Sequence, residues 1–195
     1  MKHIFAVACC VLLALVHCSS GDPMKEINAL VEAGDIPQAK SKFKQLIAEN
    51  KVPGIHRQYI QFLFDQKQFL DFRREASDYL NKEPDDQEIK LLQFDYYARL
   101  ATDAERQENY RQALDYIVSW LLSPDYPQYR KWESRQTTVL KKWYEQAEAK
   151  QDPILQKEVL VTMRNLGFDN LALSVAPELY KTIEKQASEA EQAQE

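Results

Sequence analysis

Apolar residues recur at helical spacing along most of this chain, and short breaks interrupt them at close intervals. One segment places Ala39, Phe43, Leu46 and Ile47 on a single face of a 3.6-residue period. No segment shows the sustained alternation of apolar and polar residues that is typical of a half-buried strand. Glycine is scarce, at four residues, which disfavours a turn-rich sheet protein. The pattern therefore predicts an all-α fold.

Glycine and proline breaks divide the chain from residue 23 onward into nine predicted helices. The clearest break is residues 123–127, which contain two prolines that cannot both continue a helix. The last five predicted helices cover, in order, residues 86–101, 104–122, 129–150, 153–167 and 169 into the tail.

The breaks themselves repeat along the chain. Each is followed by an apolar or aromatic residue and, three positions later, by a residue suited to a helix crossing. Ile36, Phe69 and Tyr110 occupy the first of these positions and are 33 and 41 residues apart. The four matching segments are Gly34-Asp35-Ile36-x-x-Ala39, Lys67-Gln68-Phe69-x-x-Phe72, Glu108-Asn109-Tyr110-x-x-Ala113 and Gly167-Phe168-x-x-Leu171.

This arrangement resembles the tetratricopeptide repeat (TPR) family, whose unit of about 34 residues is a helix–turn–helix. Ala39 and Ala113 fill the family's small position at the helix crossing, and Pro84 fills the position that ends a unit. Phe72 departs from the pattern because a small residue is typical there. The resemblance covers residues 25–124 best and the remainder more loosely.

The resemblance implies antiparallel helix pairs stacked as a short TPR-like solenoid, in one helical-repeat domain over residues 24–185. An irregular helical bundle is the alternative that the residues leave open. Residues 186–195 consist of Gln, Ala, Ser and Glu, and they are predicted to form a flexible tail because they have nothing to bury.

The N-terminus has the pattern of an export signal. Lys2 provides a positive charge, residues 4–16 form an unbroken apolar run, and a small polar segment follows at residues 19–23. This run is shorter than the roughly 20 apolar residues that a membrane-spanning helix needs. Residues 1–18 are therefore predicted to be a signal peptide, and the remainder is predicted to work outside the cytoplasm.

All three cysteines lie at or before residue 18. The segment Leu15-Val16-His17-Cys18 resembles the bacterial lipobox, although His17 stands where a small residue is usual. This resemblance implies lipid attachment at Cys18, and Ser19 after it implies the outer membrane. The predicted location is the periplasmic face of the outer membrane, or the cell surface, as a lipoprotein. Ordinary cleavage nearby and free secretion is the alternative.

No constellation of catalytic or metal-binding residues appears in the sequence. His56 is the only histidine after the predicted signal, and no cysteine follows Cys18. Asp85, Asp86 and Glu88 are interpreted as the acidic start of a helix rather than as metal ligands. A formal net charge of −5 without a basic run argues against nucleic acid as a partner. We expect a protein that is not an enzyme and has neither cofactor nor metal.

Aromatic residues are concentrated between residues 94 and 144, where all three tryptophans lie. Within the pairs Tyr96–Tyr97 and Trp143–Tyr144, we expect one ring to be partly exposed, because neighbours on a helix point in different directions. Exposed aromatic rings beside cationic side chains favour peptide binding. The candidate partner-binding residues are Tyr97, Arg99, Tyr126, Arg130 and Trp132. Tyr126 and Trp132 are expected to tolerate alanine without loss of helical structure.

Together these features predict an exported, membrane-anchored TPR-like lipoprotein that acts as a protein–protein interaction scaffold in the cell envelope. Its partners are expected to be proteins or peptides of the envelope, with the membrane contacted through a lipid on Cys18. The alternative is a freely secreted helical binding protein without a lipid anchor.

Overall fold

The computed structural model describes residues 22–50 and 52–192, and every regular element in these two ranges is helical. The all-α prediction is therefore confirmed for this part of the chain. The predicted signal peptide and Cys18 lie outside the described residues, so both stay predictions. Within the described ranges, no helix combines the length and the apolar character that crossing a membrane requires.

The described ranges contain ten α-helices, one more than the nine predicted. Their bounds are α1 Pro23–Glu32, α2 Ile36–Glu49, α3 Ile55–Asp65, α4 Phe69–Leu80, α5 Gln87–Arg106, α6 Tyr110–Tyr116, α7 Tyr129–Ala149, α8 Pro153–Asn165, α9 Asp169–Val175 and α10 Pro177–Gln192. A π-turn over Ile117–Leu121 continues α6. Because α10 reaches Gln192, most of the predicted tail 186–195 is helical, and its flexibility stays a prediction.

Aspartate side chains cap the starts of several helices. Oδ1 of Asp86 accepts hydrogen bonds from the backbone N–H groups of Glu88 and Ile89, at 3.1 and 3.2 Å. Asp152 accepts from Ile154 in the same way at the start of α8, at 3.1 Å. These bonds satisfy donors that a helix start leaves without an intrahelical acceptor. The interpretation of the acidic residues near position 86 as a helix start is thus confirmed.

Two predicted helix boundaries are wrong. α5 continues past its predicted end at Ala101, because Ala101 and Ala104 are both buried and extend the core face of the helix. The break comes instead at Glu108, after which Asn109 caps α6. The predicted ninth helix is divided at Pro177, since proline has no N–H to bond to the preceding turn.

The described residues divide into two compact units, with the division between Tyr59 and Ile60. In the first unit, α1 and α2 pack against each other and bury Ile27 and Phe43. The ring of Phe43 also contacts that of Tyr59, with centroids 5.2 Å apart. A single domain over residues 24–185 stays a prediction.

The second unit contains the rest of α3 and all of α4 to α10. From α4 onward each helix packs on the next helix along the chain, and α8 also packs on α10. A series of ring contacts connects α3 to the end of α6. It runs through Phe64, Phe72, Tyr96, Tyr97 and Trp120, with successive centroid separations of 5.2, 5.5, 5.1 and 4.0 Å. The core is therefore strongly aromatic where α5 lies between α4 and α6.

The same backbone turn recurs at five helix ends. In each, one residue adopts a left-handed conformation and its N–H bonds to the carbonyl three residues back. The next N–H bonds to the carbonyl five residues back, which completes the Schellman pattern of helix termination. The left-handed residues are Gly34, Lys67, Glu108, Gln151 and Gly167. The turns that the sequence repeats predicted at 34, 67, 108 and 167 thus share one geometry.

A fully buried residue follows four of these turns at the same distance. Ala39, Phe72, Ala113 and Ala172 each have an exposed fraction of 0% and lie five positions after the left-handed residue. The sequence alignment placed Leu171 at this position in the last segment, which is wrong by one residue. It treated Phe168 as the counterpart of Ile36, whereas Phe168 occupies the position of Asp35 just before the helix.

Candidate basic groove between two helices

A groove in the second unit lies along α5 and the start of α7, and its cavity volume is about 590 Å³. We call it the α5–α7 groove. The break at residues 123–127 ends the preceding helical segment and returns the chain to α5, which places the first turn of α7 beside it. The side chains that matter most for its chemistry are Lys67, Asp95, Arg99, Tyr126, Lys131 and Trp132.

Two buried aromatic residues form the floor of the groove. Tyr126 and Trp132 each expose 2% of their surface, and the Tyr126 ring stacks on Phe94 with centroids 4.9 Å apart. The Tyr126 hydroxyl donates a hydrogen bond to Oδ1 of Asp95 at 3.3 Å. Burial raises the pKa of Tyr126, the Asp95 charge acts in the same direction, and the nearby Trp132 indole partly offsets both. The phenol therefore stays protonated at neutral pH and fixes the loop onto α5.

Two of the five cations that line the groove are compensated by carboxylates. Nε of Arg135 lies 2.6 Å from Oε1 of Glu105, and its guanidinium also lies over the Trp132 ring at 5.0 Å. Arg106 lies 3.1 Å from Asp103. These charges are therefore largely engaged within the protein.

The other three cations are Lys67, Arg99 and Lys131, and all three side chains are exposed. Among the described residues, no carboxylate lies within ion-pair distance of any of them. The Arg99 guanidinium lies over the ring of Phe64, 4.8 Å from its centroid, which restricts its orientation. The groove thus presents positive charge beside a rigid apolar floor, an arrangement suited to carboxylates carried on an apolar chain.

The structure brings together three of the five predicted partner-binding residues. Arg99, Tyr126 and Trp132 line the α5–α7 groove, and their role in partner binding stays a prediction. Tyr97 does not line it, because its ring stacks on Trp120 on another face of α5. Arg130 does not line it either, and its Nε instead bonds to the hydroxyl of Tyr129 at 3.2 Å.

The expectation of exposed aromatic rings is wrong. Both members of each adjacent pair are buried, with exposed fractions of 8% for Tyr96 and Tyr97, 4% for Trp143 and 6% for Tyr144. The reason is that α5 packs on α4 and α6, and α7 packs on α6 and α8. Neighbours that point in different directions are therefore each covered by a different helix. The accessible part of the α5–α7 groove therefore consists of its exposed cations rather than of aromatic rings.

Sequence reasoning missed Lys67, Lys131 and Arg135. Lys67 was identified only as part of a turn, although it also lines the groove. Lys131 is adjacent to Trp132 on α7, and Arg135 lies three positions after Trp132. This spacing places both cations near the Trp132 ring on the helix, and it was the available signal.

Within residues 22–50 and 52–192, no cluster of three or more His, Cys, Asp or Glu side chains is arranged to hold a metal ion. Comparison of the chain with protein families, with curated proteins and with solved structures finds no match. The α5–α7 groove is therefore interpreted from its own chemistry.

Proposed function

We propose that this protein is an exported, non-enzymatic interaction module whose α5–α7 groove binds an acidic segment of a partner protein. The observation that carries the proposal is the presence of three exposed cations without carboxylate partners over a buried aromatic floor. The proposed scaffold is a short TPR-like stack of helical hairpins, held at the outer membrane by a lipid on Cys18.

The recurring turn supports the repeat part of the proposal. Four segments combine the same left-handed turn with a fully buried residue five positions later. A hairpin of this kind cannot bury its second apolar face alone, so neighbouring hairpins stack upon it. The turns at Gly34, Lys67 and Glu108 lie at alternate connections, α1–α2, α3–α4 and α5–α6, which is the position of the turn inside each helical hairpin of a repeat.

The charge of the groove supports an acidic partner. Its lining contains five basic residues and two acidic ones, an excess of three positive charges, whereas the whole chain has a formal net charge of −5. A positive surface on an acidic protein attracts a negatively charged segment locally while the rest of the molecule repels it elsewhere. The charge of the groove therefore favours such a segment as its ligand.

Lys67 lies at one of the recurring turns, at the border of the groove. Its φ of 56° lies in the left-handed region, which costs a non-glycine residue about 1–2 kcal/mol. Gly34 and Gly167 occupy equivalent turns without this cost. Glu108 and Gln151 adopt the same left-handed conformation, so this turn accepts a side chain, and Lys67 adds its positive charge to the border of the groove.

The proposed anchor is tested by the mass of the native protein. We expect the intact mass to correspond to a chain that begins at Cys18 and carries a lipid adduct, and detergent partitioning to be lost in Cys18→Ala. A native chain that begins near this residue without an adduct would instead support the freely secreted alternative. In both cases the binding proposal for the groove remains separately testable.

Reversing two of the three uncompensated charges, in Arg99→Glu with Lys131→Glu, is expected to weaken binding of an acidic peptide about tenfold or more. The probe is a blocked pentapeptide of four glutamates around one phenylalanine. Binding is measured by calorimetry and by the indole N–H signal of Trp132 in ¹⁵N-labelled full chain. Raising the salt concentration is expected to weaken wild-type binding as well.

The matched control is Lys181→Glu with Lys185→Glu on α10, which changes the net charge of the chain by the same amount outside the groove. Binding that falls equally in both double variants would show that only net charge matters. Binding that is unchanged in the groove variant would remove the basis for the proposed function.

A further inference from the structure

A second groove lies on another face of α5, between α4 and the end of α6, and its volume is about 600 Å³. We call it the α4–α6 groove. It is lined by Leu70, Arg73, Ser77, Asp78, Tyr97 and Trp120, with further contributions from α4 and α5. None of its lining residues lines the α5–α7 groove, so the two grooves are separate.

The backbone that carries Trp120 is unusual. α6 ends in a single π-turn, closed by the N–H of Leu122 donating to the carbonyl of Ile117 at 3.2 Å. Single π-turns are rare and occur frequently at functional sites. Here the turn keeps Ile117 and Leu121 fully buried while it places Trp120 at the edge of the core.

Trp120 is covered on one face and available on the other. Its ring stacks on Tyr97 with centroids 4.0 Å apart and planes 9° apart, and Tyr97 is buried beneath it. Trp120 itself is only half-buried and lines the groove. A rigid indole with an accessible face is a platform on which another apolar or aromatic ring can stack.

The opposite wall is one face of α4. Leu70, Arg73 and Ser77 follow each other at i, i+3 and i+7, and Leu70 exposes 76% of its surface. Among the described residues, Leu70 is the most exposed leucine. The groove that the Trp120 indole lines therefore also offers an uncovered apolar side chain, that of Leu70.

The two arginines of this wall differ in their partners. Arg74 lies 3.1 Å from Asp71 and 3.5 Å from Glu75, so its charge is compensated on its own helix. No carboxylate among the described residues lies within ion-pair distance of Arg73. Arg73 and Tyr97 line the same groove, and the charge of Arg73 opposes the effect of burial on the pKa of Tyr97.

We propose that the α4–α6 groove is a second peptide-binding site, which takes a segment with an aromatic residue directly beside an acidic one. The aromatic ring stacks on Trp120 next to Leu70, and the carboxylate pairs with Arg73. Asp78 lies further along α4 and repels a second carboxylate there, so the segment carries its acidic residue on one side only.

The test uses the indole N–H signals of the three tryptophans in ¹⁵N-labelled full chain, assigned by Trp120→Phe. The probe is a blocked tetrapeptide, acetyl-Gly-Asp-Phe-Gly-amide. We expect a saturable shift of the Trp120 signal, while the signals of the buried Trp132 and Trp143 stay in place. Replacing the phenylalanine of the probe by serine, or its aspartate by lysine, is expected to abolish or strongly reduce that shift.

Arg73→Gln is expected to weaken the affinity at least fivefold, whereas the matched control Arg130→Gln removes the same charge outside this groove and is expected to change it less than twofold. Arg73→Lys, which retains the charge, is expected to restore most of the affinity if the glutamine variant is poorly folded. Equal weakening by both glutamine variants overturns the proposal, as does the absence of a saturable Trp120 shift. A shift of the Trp132 signal alone also overturns it, because the probe then occupies the α5–α7 groove and supports only the proposed function.

Discussion

Phe72→Ala is expected to lower the free energy of unfolding by about 3–5 kcal/mol. Phe72 has an exposed fraction of 0% and contacts the rings of Phe64 and Tyr96, with centroid separations of 5.2 and 5.5 Å. Both partners belong to the aromatic series that connects α3, α4 and α5. Their rings cannot collapse onto a methyl group without leaving their own contacts, so the cavity persists and the cost approaches the upper end of the range.

Chemical denaturation followed by circular dichroism measures this loss, with Leu70→Ala as the control on the same helix. Leu70 is 76% exposed, and its replacement is expected to change the free energy of unfolding by less than about 0.5 kcal/mol. At the equivalent position after another turn, Ala113→Phe introduces a large side chain in place of a small one. It is expected to lower the free energy of unfolding by about 1–3 kcal/mol through overpacking. Phe72→Ala with a loss below about 1 kcal/mol would contradict the assignment of position 72 to a helix crossing.

Trp132→Ala is expected to lower the free energy of unfolding by a similar amount, about 3–5 kcal/mol, and also to abolish ligand binding by the α5–α7 groove. Trp132 exposes only 2% of its surface and supports the Arg135 guanidinium at 5.0 Å. Its removal therefore takes away the floor of the groove and the surface that orients one of its cations. The sequence-based expectation that helical structure survives this replacement stays a prediction, whereas the burial of Trp132 adds an expected loss of stability.

Thermal or denaturant unfolding measures the loss of stability, and the acidic pentapeptide measures binding under conditions where the variant is still folded. Arg130→Ala is the matched control, because this residue is close by on α7 but does not line the groove. Trp132→Phe, which keeps an apolar ring, is expected to cost less than half as much. An unchanged free energy of unfolding in Trp132→Ala would show that the indole is not part of the core.

The fold class and the hairpin turns could be predicted from the sequence because they depend on local chemistry. Helical periodicity, capping aspartates and turn residues act within a few positions of one another. The misplaced boundary at Ala101 and the one-residue error at Leu171 have the opposite origin. In each case the position is decided by which residue packs against a neighbouring helix, and an alanine carries no mark of this in the sequence.

The candidate site was accessible to sequence reasoning only in part. Arg99, Tyr126 and Trp132 were found because aromatic and cationic residues are dense in this part of the chain. Exposure could not be predicted, since it depends on how many helices surround α5 and α7 rather than on the residues themselves. Lys67 was missed as a site residue because it lies about thirty positions before Arg99 in the sequence. It reaches the groove only through the packing of the second unit.

The recurring turn has a practical consequence for spectroscopy. Its geometry is held by backbone hydrogen bonds, and the residues at Lys67, Glu108 and Gln151 show that a side chain is accepted at the left-handed position. No cysteine occurs after Cys18, so a thiol introduced at any of these exposed positions would be unique in the rest of the chain. Pairs of nitroxide labels attached there would act as rulers between successive hairpins, and would measure their spacing in solution before any partner is known.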